Sequence, residues 1–99
     1  GAPLRVLVVD DNVDAADTLS DYLQHLGHRV KVAYAGQPAL DAAHEFSPDV
    51  CLLDIGLPDM SGYVLASRLK AQFPAAEMAA LTGWGREEDL AKAEAAGFR

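Results

Sequence analysis

Residues 4–12 read Leu4-Arg5-Val6-Leu7-Val8-Val9-Asp10-Asp11-Asn12, and the abrupt change from an apolar run to two acids decides the fold. A strand with one face in water alternates apolar and polar residues. Leu4 to Val9 is instead almost continuous in leucine and valine, the mark of a strand covered on both faces. Shorter runs of the same kind stand at Arg29 to Ala33, Val50 to Leu53 and Met78 to Leu81. Four strands are expected.

Helix signals separate them. Ala16, Leu19, Leu23 and Leu26 recur at three- and four-residue spacing, with Asp14 and Asp17 near the positive end of the helix dipole and Gly27 as the stop. Pro38 suits a first helical position, after which Ala39, Ala43 and Phe46 share a face until Ser47-Pro48. Ser61 can cap a third helix that points Leu65 and Leu69 inward and ends before Pro74. Glu87, Glu88 and Asp89 open an alanine-rich fourth helix that stops at Gly97. Strand and helix alternating in this way imply right-handed crossovers. The expected fold is therefore α/β, a doubly wound parallel sheet with helices on both faces. In such folds ligands bind beyond the carboxyl ends of the strands, where strand order reverses.

The chemistry-bearing residues follow strands. Asp10 and Asp11 come directly after the first, Asp54 closes the third, and Thr82 with Gly83 follows the fourth. Three carboxylates brought to one edge repel one another unless a cation neutralises them. Mg²⁺ is the natural candidate, because it takes a few carboxylates or carbonyls, keeps several waters and accepts phosphate oxygens in its remaining positions. An aspartate facing such a metal can attack a phosphoryl group to give an acyl phosphate, and Thr82 could hydrogen-bond the phosphoryl oxygen.

Composition narrows the classes of partner. The chain has 99 residues, 51% of them hydrophobic, which is one small domain or part of one. No run approaches the roughly 20 apolar residues of a membrane-spanning helix. Fifteen acids against eight bases give a net charge of -7, which disfavours nucleic acid and anionic membrane surfaces. Cys51 is the single cysteine and Gly1-Ala2-Pro3 shows no signal-peptide pattern, so a cytoplasmic location is expected.

Three blocks, Val8-Val9-Asp10-Asp11-Asn12, Leu52-Leu53-Asp54-Ile55-Gly56-Leu57-Pro58-Asp59-Met60-Ser61-Gly62 and Ala80-Leu81-Thr82-Gly83, resemble the receiver domain of two-component response regulators and hybrid histidine kinases. The resemblance covers essentially the whole chain and implies a flavodoxin-like sheet. It implies that Asp54 takes a phosphoryl group from a histidine kinase or a histidine phosphotransfer domain. It further implies that Asp11, Asp54 and the backbone carbonyl of Gly56 bind Mg²⁺, with Asp10 acting through a metal-bound water and Thr82 sensing the phosphoryl group. Such a domain is a phosphoacceptor that assists its own phosphorylation and dephosphorylation rather than an enzyme acting on a separate substrate.

The same resemblance implies a fifth strand bearing a lysine and an aromatic switch residue, followed by a fifth helix. The sequence ends at Gly97-Phe98-Arg99, and Lys92 within the fourth helix is a poor substitute for that lysine. The expectation is thus a receiver over residues 1–99, incomplete at its C-terminus, with four strands instead of five. A bare fourth strand would invite a homodimer or strand exchange, and phosphotransfer would be weak.

Other residues carry less. His25, His28 and His44 lack metal-ligand spacing and read as surface histidines, and Cys51 reads as a small buried hydrophobe. Trp84 either shields an acyl phosphate or packs on loop backbone, while Pro58 and Gly62 shape the loop after Asp54. Tyr63 reads as half-buried packing. Two other functions compete. An aspartate-nucleophile phosphohydrolase would place two acids two residues apart after the first strand, unlike the adjacent Asp10-Asp11. A receiver remnant that binds a partner without being phosphorylated would keep the fold and lose the chemistry.

Overall fold

The computed structural model describes residues 2–81 and 95–97. Elements alternate as β1 (Arg5–Val9), α1 (Val13–His25), β2 (Arg29–Ala33), α2 (Gly36–Phe46), β3 (Val50–Leu53), α3 (Gly62–Gln72) and β4 (Glu77–Ala80). The strands form one parallel sheet in the order β2-β1-β3-β4. Strand order reverses between β1 and β3, which is where a ligand crevice belongs in a doubly wound sheet.

The β1 run is continuous because both of its faces are covered. Leu7 and Val9 join a core with Leu53, Leu65, Leu69 and Met78 beneath α2 and α3, whereas Val6 and Val8 pack with Ala16 under α1. Leu7, Val8 and Val9 are fully buried, and each such side chain contributes about 1.5 to 3 kcal/mol through burial. At the β2 edge the pattern alternates instead, and exposed Arg29 and Lys31 keep that edge from pairing with another strand.

The helices pack where their sequence period places them. In α3, Gly62, Leu65, Ala66 and Leu69 line one buried face, and Ser61 caps the helix by accepting the N–H of Tyr63 at 3.1 Å. In α2, Gly36, Ala39, Leu40 and Ala43 are buried. Helix α1 is capped by Asn12, whose Oδ1 accepts the N–H of Ala15 at 3.1 Å. Its other end is a Schellman turn. The Gly27 N–H donates to Gln24 at 2.9 Å and the His28 N–H to Leu23 at 3.1 Å, with Gly27 at a φ of +96° that favours glycine.

Several boundaries differ from the sequence reading. Leu4, expected to open the first strand, precedes β1 and is 40% exposed, and the expected strand ending at Leu81 stops at Ala80. Helix α2 begins at Gly36, so Pro38 is its third residue rather than its first, because capping arrives from a distant side chain described below. Leu26 is 54% exposed and does not belong to the buried face of α1, since it sits at the C-cap where the chain turns away. Strand β4 starts at exposed Glu77, one residue before its apolar run. The expected fourth helix lies outside the described residues except at its end, where Ala96 is buried and Gly97 has a φ of +96°. Among the described residues, no helix is long and apolar enough to cross a membrane.

Candidate metal and phosphoryl site

The register of the sheet brings the acids together. Val9 pairs with Ala33 on one side and with Leu53 on the other. One residue further along, the Asp10 N–H donates to the Ala33 carbonyl at 3.2 Å and the Asp54 N–H to the Val9 carbonyl at 2.8 Å. Both ladders therefore continue one rung past the strands, and the two aspartates stand side by side at the carboxyl edge. Asp11 follows at once. Asp54 is 9% exposed, Asp10 half-buried and Asp11 exposed, a gradient from the sheet floor to the solvent.

Carboxylate oxygens of Asp10, Asp11 and Asp54 all lie within 4.8 Å of one another. Their known hydrogen bonds come from backbone. Asp10 Oδ1 accepts the N–H of Asn12 at 3.0 Å, and Asp54 Oδ1 accepts the N–H of Gly56 at 3.3 Å. These bonds leave lone pairs on each carboxylate. An all-oxygen, doubly or triply negative cluster suits a hard divalent cation; octahedral Mg²⁺ at about 2.1 Å would accept such oxygens directly or through a bound water. The donor set fits Mg²⁺.

The loop behind Asp54 is held by a close backbone approach. Gly62 begins α3 against Asp54 and Ile55, with its N–H donating to the Ile55 carbonyl at 2.8 Å. A Cβ on Gly62 would meet the Ile55 Cα at 2.6 Å and strike the Asp54 carbonyl oxygen, so only glycine fits. Gly56 and Ser61 form an antiparallel bridge that closes the base of the loop. Gly56 thus stands beside Asp54, to which its N–H donates.

Asp59, at the tip of this loop, is the residue that sequence reasoning missed. Its carboxylate accepts the N–H groups of Gly36 at 2.7 Å and Gln37 at 2.8 Å, capping α2 from across the fold. Those two donors hold its carboxyl below the ordinary range, Gln37 most strongly. A signal was available, because Ala35 offers no side-chain cap.

The remaining candidates divide between described and undescribed residues. Cys51 is fully buried and burial pushes its thiol up to about 12, so it is inert. His25 and His44 are exposed, while half-buried His28 accepts the Leu4 N–H on Nδ1 at 3.0 Å and so ties the residue before β1 to the turn before β2. Tyr63 packs against the core, half-buried. Thr82, Gly83, Trp84, Lys92 and Arg99 lie outside the described residues.

Residues 6–99 match the family described as the response regulator receiver domain. The chain belongs to this family. The receiver is 44% identical over 84 residues to the transcriptional regulatory protein CreB of Escherichia coli, a stretch covering 85% of this chain and 37% of that protein. It is 44% identical over 68 residues to the virulence sensor protein BvgS of Bordetella bronchiseptica, covering 69% of this chain and 6% of BvgS. The receiver thus spans little more than a third of the first relative's length and a small part of the second's. Among solved structures, the BeF3-activated receiver domain of DrrB, a Thermotoga maritima OmpR/PhoB homologue, superposes with a TM-score of 0.86 at 32% identity. That superposition covers 98% of this chain and 80% of the DrrB receiver.

Proposed function

We propose that Asp54 is the phosphoacceptor of this receiver and that its phosphorylation requires Mg²⁺ held by Asp10, Asp11, Asp54 and the Gly56 carbonyl. The observation that carries this reading is the meeting of three carboxylates at the switch point of the sheet, with Asp54 the most buried of them. When bound, Mg²⁺ offsets negative charge on the transferred oxygens. The chain's own residues do the rest. The Asp54 backbone is pinned by its bond to Val9, and Gly56 donates to Oδ1, which leaves the other carboxylate oxygen free to act as nucleophile. That oxygen attacks phosphorus as the P–N bond of a phosphohistidine breaks, and the electron pair of that bond passes to the imidazole nitrogen. The product is an acyl phosphate on Asp54, whose phosphoryl oxygen Thr82 senses through its hydroxyl.

The donor in this reading is a histidine kinase or a histidine phosphotransfer domain in the cytoplasm. Residues 1–99 serve as the receiver segment of a longer signalling protein, for which a hybrid histidine kinase is one candidate parent and the likeness to the virulence sensor protein BvgS supports a sensor protein. Strand β4 pairs with β3 alone among the described residues, so its outer edge is where a second copy would add a strand. Phosphoramidate, a small P–N donor, tests the chemistry without a cognate kinase. With Mg²⁺ it should yield a hydroxylamine-labile adduct on the wild type. If Mg²⁺ binds and no adduct forms, the chain is an interaction module instead.

A further inference from the structure

Helix α2 starts without a cap of its own. Ala35 holds the N-cap position in extended conformation, and its methyl group accepts nothing. The donors of the first turn are satisfied from 22 and 23 residues away, where Asp59 Oδ1 takes the Gly36 N–H and Oδ2 the Gln37 N–H. Pro38, the next residue, has no N–H, and Ala39 donates to the Ala35 carbonyl at 3.2 Å. The Asp59 carboxylate therefore completes the helix start.

An apolar contact fixes the same point. The Met60 side chain occupies the space in which a Gly36 Cβ would stand, with Sδ 2.6 Å from that position. Asp59 and Met60 form the tip of the loop whose base holds Asp54. That base is closed by the Gly62 to Ile55 hydrogen bond and by the Gly56 to Ser61 bridge, and Gly56 itself donates to Asp54 Oδ1. A continuous series of bonded groups thus runs from the Asp54 carboxylate through Gly56 and the loop to Asp59 and the first turn of α2.

We propose that Asp59 is a positioning residue that couples the acidic site to helix α2, so that cation binding at Asp10, Asp11 and Asp54 is felt at Gly36 and Gln37. The inference rests on the acidic cluster being a Mg²⁺ site. Coupling between two sites is reciprocal, so releasing α2 from Asp59 must also change the affinity for the metal. A cap that only stabilised α2 would leave that affinity untouched.

Backbone amide NMR of the full chain, titrated with Mg²⁺ alone, tests the coupling. In the wild type the Asp10, Asp11 and Gly56 amides shift, and the Gly36 and Gln37 amides shift with the same midpoint. In Asp59→Ala the cluster still responds, the Gly36 and Gln37 response disappears, and Mg²⁺ binds about fivefold more weakly, at the low end of known couplings. Asp59→Asn, which keeps one acceptor oxygen, falls between the two. Silent Gly36 and Gln37 amides in a wild type whose cluster responds would overturn the coupling and leave the metal site standing. A cluster that does not respond at all overturns the metal site and the coupling with it. The wild-type titration decides the matter even if Asp59→Ala does not fold.

Discussion

The N–H of Asp54 donates to the carbonyl of Val9 at 2.8 Å, which carries the β1–β3 ladder one rung beyond the strands. The bond is made by backbone, so the position of Asp54 depends on the sheet and not on its own side chain. Substituting the carboxylate should therefore change the chemistry and spare the fold.

Relief of repulsion gives the first prediction. Without Mg²⁺, Asp11→Asn removes one of three crowded negative charges and should raise the melting temperature. With Mg²⁺ at ten times its Kd, the wild type should gain about 1.4 kcal/mol, and Asp11→Asn should lose most of that gain. Calorimetry with Mg²⁺ and with EDTA measures both.

Gly62 gives the second. An alanine Cβ there would meet the Ile55 Cα at 2.6 Å, and that atom belongs to backbone that cannot step aside as a flexible side chain can. Gly62→Ala should cost roughly 1 to 3 kcal/mol, the range for overpacking, and should also weaken Mg²⁺ binding because the Asp54 backbone must shift. Urea denaturation with isothermal titration separates the two effects. Gly56→Ala, where a Cβ meets nothing within 4 Å, is the control and should cost far less.

Much of this was legible in the sequence, for identifiable reasons. Val6 to Val9 and Val50 to Leu53 gave themselves away because central parallel strands are apolar on both faces, although exposed Leu4 lies just before β1. Asp10, Asp11 and Asp54 stood out because acids directly after such strands must gather at one edge. The start of α2 did not, because its cap is Asp59, which lies 23 residues from Gly36, and local sequence rules look only at neighbours. Glu77 escaped because an exposed acid at the start of a strand resembles a loop. Leu26 fitted the helical period, yet the Schellman turn at Gly27 ends the helix before the period can bury it.

Among the described residues, two exposed carboxylates each add a modest, solvent-screened share to the acid dependence of stability. Backbone donors hold Asp49, bonded chiefly by the Arg5 N–H, and Asp59 below the ordinary value of 3.8. A carboxyl depressed in the folded state contributes stability that is fully present above its unfolded value and is lost as pH falls through the lower folded one. Urea midpoints should thus hold steady from neutrality down to roughly pH 5 and then decline. Asp59→Asn and Asp49→Asn should each lower the midpoint at neutral pH and flatten that decline.

The most direct test of the central claim is intact mass after incubation with acetyl phosphate and Mg²⁺, comparing the wild type with Asp54→Asn. The wild type should gain the mass of one phosphoryl group, and should gain none in EDTA or when Asp54 is replaced. An Asp54→Asn protein that gains the same mass, or a wild type phosphorylated equally well in EDTA, would contradict the assignment of Asp54 as a Mg²⁺-dependent phosphoacceptor.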